Sequence, residues 1–188
     1  PAGRTARRLA PLPSLLRQLG QAAFETLAEG GRDRPTKHSA LVAIRSPAAV
    51  LTLTDEDVHI WHVVPELISD PALLQRCDAM LSAGERARHA RFVFPAHQHI
   101  YLVAHALVRT ALSQYAAVEP WAWTFALGPQ GRPEVAGPAG VPPLRFNLSH
   151  TAGLVAVAVT LEAEVGIDVE AIDARASGLE IARHYFSP

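Results

Sequence analysis

Apolar positions follow two different rhythms along the chain. From Leu15 to Leu27, the residues Leu15, Leu16, Leu19, Ala22, Ala23 and Leu27 recur at helical spacing up to Gly30-Gly31, which predicts an isolated amphipathic helix. Residues 29–49 mix Gly, Arg, Asp, Pro, Thr and Ser and read as a linker. From about residue 50 the pattern tightens. Val50 to Leu53 and Val58 to Val64 are β-branched and aromatic stretches bounded by Asp55-Glu56-Asp57 and Pro65, so both are expected as strands. Asp70-Pro71 then supplies an N-cap followed by proline at the first helical position, and Leu73, Leu74, Cys77, Met80 and Leu81 share one face. Ser82 and Glu85 have the spacing of a capping box and open a helix carrying Arg86, Arg88 and Arg91. Pro95 opens a longer one, whose buried stripe is Val103, Leu107, Val108, Ala111, Leu112 and Tyr115.

Further on, Trp123 to Phe125, Leu144 to Leu148, Leu154 to Leu161 and Val165 to Val169 read as four short strands, with Glu162-Ala163-Glu164 as a hairpin turn. Ser177 and Glu180 repeat the capping-box spacing and start a last helix toward Tyr185-Phe186. Helices cluster in the middle and strands flank them without βαβ alternation, so the expected class is α+β with an antiparallel sheet and packed helices. Composition changes the picture in four ways. With 49% hydrophobic and 19% charged residues the chain is globular, and 17 basic against 18 acidic residues leave no global field for nucleic acid or an anionic membrane. Any anion must be held by a local cluster. Apolar runs such as Leu154 to Val159 fall far short of the roughly 18 residues of a membrane span. A single cysteine, Cys77, excludes an internal disulfide and fits a reducing compartment, with the cytoplasm as default. The chain opens at Pro1 and stops at Pro188 within a helix-like segment, so both ends read as cut; Arg4, Arg7, Arg8 and Arg17 give the start a bias shared by transit peptides and plain basic leaders.

The chemistry concentrates in two elements. In Gly166-Ile167-Asp168-Val169-Glu170, strand alternation would set the two carboxylates on one face about 6.6 Å apart. Two such oxygen donors suit Mg²⁺, which takes one or two carboxylates and completes its shell with water and substrate phosphate. On its own, Asp-x-Glu is more often a solvated strand face. The other element is Phe146-Asn147-Leu148-Ser149-His150-Thr151, where a hydroxyl and an imidazole at a strand end could both donate to a phosphate. No Gly-x-Ser-x-Gly surrounds the serine, which argues against a hydrolase triad. His97, His99 and His105 do not share a helical face as a zinc set would.

Together and in this order, the two elements resemble the 4′-phosphopantetheinyl transferases, which move phosphopantetheine from coenzyme A to a serine of a carrier protein. Leu81-Ser82, Glu85-Arg86, Arg88, Arg91-Phe92, Leu107-Val108-Arg109, Gly131-Arg132-Pro133 and Tyr185-Phe186-Ser187-Pro188 resemble the longer, pseudo-dimeric type that activates surfactin synthetase. The resemblance covers about residues 57–188. It implies a leader, helix and linker over 1–49 outside the fold, and over 50–188 the N-terminal half of a pseudo-twofold domain plus the start of the second half. It further implies Asp168 and Glu170 as Mg²⁺ ligands, and Asp168, Glu170 and His150 as the catalytic set. Ser149 and His150 would meet the phosphates of coenzyme A, Arg88 and Arg91 its 3′-phosphate, and the turn bearing Arg132 its adenine. Coenzyme A and an apo acyl or peptidyl carrier protein are the implied partners. The family's Trp-x-x-Lys-Glu element does not occur in these 188 residues, so the chain by itself is expected to be inactive. Two rival readings are a catalytically inactive module that binds coenzyme A or a carrier protein, and an Mg²⁺-dependent phosphohydrolase.

Overall fold

A computed structural model describes residues 50–171. The helix expected over 15–27, the linker after it and the helix expected from Ser177 lie outside the described residues. Strand β1, His59–Val63, turns His59, Trp61 and Val63 inward. After a 3-10 turn at Pro65–Leu67 comes α1, Pro71–Met80, capped by the Asp70 carboxylate, which accepts the Ala72 N–H at 3.0 Å. Leu73, Cys77 and Met80 form its buried face, and burial pushes the Cys77 thiol up to about 11. Helix α2, Ala83–His89, begins with both halves of the capping box: Glu85 N–H donates to Ser82 Oγ and Ser82 N–H to the Glu85 carboxylate.

Helix α3, Pro95–Leu112, is the centre of the molecule, and from Leu102 to Leu112 only His105 escapes full burial. The expected stripe is therefore a whole circumference, because the chain wraps this helix on every side. Tyr115 lies just beyond it, buried, with its N–H on Leu112 O. Its hydroxyl accepts Trp61 Nε1–H at 2.8 Å and is hydrogen-bonded to His59 Nδ1 at 2.9 Å. Burial, chiefly, drives the Tyr115 phenol well above its ordinary range.

Four further strands follow: β2, Thr124–Leu127; β3, Pro133–Gly137; β4, Leu144–Thr151; and β5, Leu154–Leu161. All pairings are antiparallel, β1-β5-β4 in one sheet and β2-β3 in another, so the class is α+β as expected. β5 is central, and its Val155, Val157 and Val159 pack into the core beneath α3. β4 and β5 meet through Ala152-Gly153, where Gly153 adopts φ 85°, a conformation that favours glycine. Phe125 of β2 meets Phe146 of β4 edge-on at 5.4 Å, joining the two sheets.

Two expected strands do not form. Residues 50–53 are tied by Leu51 N–H to Gln114 O and bury Leu53, so their apolar character serves packing rather than a ladder. Val165 to Val169 makes no ladder either, so Glu162 to Glu164, with Glu162 at φ 60°, reverses the chain without making a hairpin. β3 was not expected: it starts on a proline and ends on a glycine, both poor strand formers.

Candidate functional site

Strand alternation sorts β4 into two faces. Phe146 and Leu148 pack toward the core, opposite Val159 and Val157, while Arg145, Asn147 and Ser149 project from the other face, opposite Thr160, Ala158 and Ala156. Along this second row lies the segment 164–169. Arg145 Nε is 3.7 Å from Glu164 Oε1, Asn147 Oδ1 accepts Ile167 N–H at 2.9 Å, and Ser149 Oγ accepts Val169 N–H at 3.1 Å. The segment runs in the same direction as β4, held by side chains where a ladder would use backbone carbonyls.

The alternation expected of Gly166 to Glu170 survives without the ladder. Ile167 and Val169 are half-buried, and Asp168 and Glu170 are exposed. Ser149 Oγ–H donates to Asp168 Oδ1 at 3.0 Å, and Val169 N–H donates to the same oxygen at 3.0 Å. Oδ2 of Asp168 has no hydrogen-bond partner among the described residues. No three His, Cys, Asp or Glu side chains among them could hold a metal ion unaided. Two exposed carboxylates, one with an oxygen to spare, fit Mg²⁺, which leaves its other positions to water and phosphate.

Ser149 and His150 are brought to the same strand end, but they leave opposite faces of β4, so they do not form the two-donor grip on one anion that adjacency suggested. His150 is exposed on the side of Phe146 and Leu148. The hairpin tip beside it is pinned by Gly153 N–H donating to Glu66 Oε1 at 3.1 Å.

Arg88 lies in the last turn of α2, but Arg91 lies beyond the helix, its N–H bonded to Arg88 O; the shared helical face expected for them gives way to a turn, because the helix stops at His89. Both are exposed, as is Arg132, which follows the φ 75° of Gly131 in the β2-β3 loop. These three guanidinium groups make no ion pair among the described residues. By contrast Arg86 pairs with Asp78, Arg145 with Glu134 and Glu164, and Arg109 with Glu85.

In the Arg109 pair the guanidinium is buried and the Glu85 carboxylate half-buried. Arg109 is 2% exposed, donates to Trp123 O and to the Glu85 carboxylate, and lies 4.8 Å from the centre of the Phe125 ring. Burial would raise the Glu85 pKa, but hydrogen bonds from His105 and the Ser82 N–H together with the Arg109 charge outweigh it and hold the carboxyl well below its usual range. His105 and His99, left out of the site by spacing, have structural partners, Glu85 and Pro65 O.

Arg145 and Asn147 were missed as site residues by sequence reasoning. The available signal was their register: with Ser149 they stand two apart on one strand face.

A family model described as "4'-phosphopantetheinyl transferase, N-terminal" matches residues 70–162. The 4'-phosphopantetheinyl transferase HetI of Nostoc sp. is 33% identical over 138 residues, covering 73% of this chain and 57% of that protein. The Synechocystis sp. protein slr0495, which carries the name of the same transferase, is 28% identical over 120 residues, 64% of this chain and 48% of that protein. The chain thus spans about half the length of these curated relatives. Among solved structures, Helicobacter pylori holo-[acyl-carrier-protein] synthase in complex with coenzyme A aligns with a TM-score of 0.41 and 13% identity, over 56% of this chain and 99% of that one.

Proposed function

We infer, from the premise that this chain belongs to the 4′-phosphopantetheinyl transferase superfamily, that the whole protein transfers 4′-phosphopantetheine from coenzyme A to a serine of an apo acyl or peptidyl carrier protein. It is of the longer, pseudo-dimeric type, and it acts in the cytoplasm. The observation that carries the reading is the docking of Gly166 to Glu170 along β4, which sets the acidic pair beside the Ser149-His150 element.

Asp168 and Glu170 would hold Mg²⁺, which when bound neutralises pyrophosphate charge as phosphoryl-type transfers require. His150, which leaves the opposite face of β4 from Ser149, would meet a phosphate of coenzyme A around the strand end. Arg88 and Arg91 take the 3′-phosphate, and Arg132 lies against the nucleotide. In the transfer, a bond forms from the carrier serine oxygen to the β-phosphorus, the bond from that phosphorus to the 3′,5′-ADP oxygen breaks, and the serine hydroxyl proton passes to solvent.

The test is incorporation of a fluorescent coenzyme A analogue into an apo carrier protein, with Mg²⁺ and with EDTA. Labelled carrier that depends on Mg²⁺ is expected. Binding of coenzyme A without labelling would replace the transferase by a binding module, and release of phosphate products without labelling would replace it by a phosphohydrolase.

A further inference from the structure

We propose that Asn147 and Ser149 are positioning residues that act through Asp168, a role that rests on the transferase reading above. The side chains two apart on β4 meet backbone N–H groups two apart on the passing segment, Asn147 receiving Ile167 and Ser149 receiving Val169. Each side-chain oxygen thus stands where a strand carbonyl would in a ladder. Among the described residues, these two contacts and the bond from Ser149 to Asp168 are the hydrogen bonds that tie residues 165–171 to the sheet.

Ser149 does more than tether. A hydroxyl has one hydrogen to donate, and here it goes to Asp168 Oδ1, which together with Val169 N–H on the same oxygen sets the rotation of the carboxylate and leaves Oδ2 without a partner among the described residues. With that hydrogen committed to the carboxylate, Ser149 does not at the same moment donate it to a phosphate. Partners that orient a metal-binding carboxylate in this way typically matter by ten- to a hundredfold in affinity or activity. The motif Asn-x-Ser and the motif Asp-x-Glu share a period of two because one receives the other.

Asn147→Ala, Ser149→Ala and Ser149→Thr, made in the full-length protein, test this by three measurements. Amide hydrogen exchange should accelerate roughly fivefold or more at Ile167 in Asn147→Ala and at Val169 in Ser149→Ala, with core amides such as Val157 unchanged. Mn²⁺ affinity, read by electron paramagnetic resonance without coenzyme A, should fall roughly tenfold in Ser149→Ala and recover in Ser149→Thr. In the transfer assay kcat should fall while KM for coenzyme A stays within about twofold of wild type. Unchanged exchange at Val169 with unchanged Mn²⁺ affinity overturns the proposal. So does a raised KM for coenzyme A with Mn²⁺ affinity intact, which would make Ser149 a phosphate ligand. A wild-type protein that labels no carrier overturns the proposed function instead, and the exchange and Mn²⁺ measurements, which need neither substrate, still decide the positioning role.

Discussion

Glu85 caps the start of α2 and neutralises Arg109 inside the core with the same carboxylate. Removing it therefore strips a helix end and leaves a buried guanidinium without its counter-charge. Glu85→Ala is expected to cost about 3–5 kcal/mol, as leaving a buried charge without its partner does. Urea denaturation checks this; a loss below about 1 kcal/mol, the value of a surface pair, would contradict it.

The same pair sets an acid sensitivity. The Glu85 pKa in the folded chain lies below its ordinary value of 4.5, so the carboxylate contributes its full stabilisation above that value and loses it progressively as pH falls below it. Denaturant midpoints between pH 6 and pH 3 should fall more steeply in wild type than in Glu85→Gln, whose side chain does not titrate. Parallel profiles would remove Glu85 as the cause.

Asp168→Ala in the whole protein is expected to abolish carrier labelling at saturating Mg²⁺, since it removes one of the few protein ligands proposed to hold the metal. Its thermal midpoint should stay close to wild type, because the side chain is exposed. Turnover near wild type would exclude Asp168 as a metal ligand.

Arg88→Ala and Arg91→Ala should raise KM for coenzyme A about ten- to a hundredfold while leaving KM for dephospho-coenzyme A, which lacks the 3′-phosphate, nearly unchanged. Equal losses with both substrates would assign these arginines to another contact.

Tyr115→Phe removes the acceptor of a buried indole N–H, at an expected cost of about 1–3 kcal/mol. The site on β4 is untouched by this change, so labelling activity measured well below the thermal midpoint should match wild type. A neutral effect on stability would mean that the indole has found another partner.

What the sequence made legible was local. Asp70-Pro71, the Ser82-Glu85 box and Pro95 mark helix starts by rules that operate within four residues, and each start lies where they place it. The acidic pair was legible for a similar reason, its alternation persisting outside any ladder. The Glu85 and Arg109 pair was not, because it joins two helices across 24 residues and no spacing rule reaches that far. Nor was the mode of docking at Ile167 and Val169, since an alternating stretch looks the same whether its N–H groups meet carbonyls or side-chain oxygens. β3 escaped because its pairing with β2, rather than its own composition, makes it a strand.

The order β1-β5-β4 also constrains when the molecule can be built. Trp61 of β1 waits for Val157, which leaves the ribosome 96 residues later, so the larger sheet cannot close during synthesis of the helices between them. Until β5 emerges, the apolar flank of α3 beneath it has no sheet to cover it. Chains with such long-range pairing fold slowly and expose sticky surface on the way, which makes the nascent chain, rather than the finished one, the stage at which a chaperone would be needed.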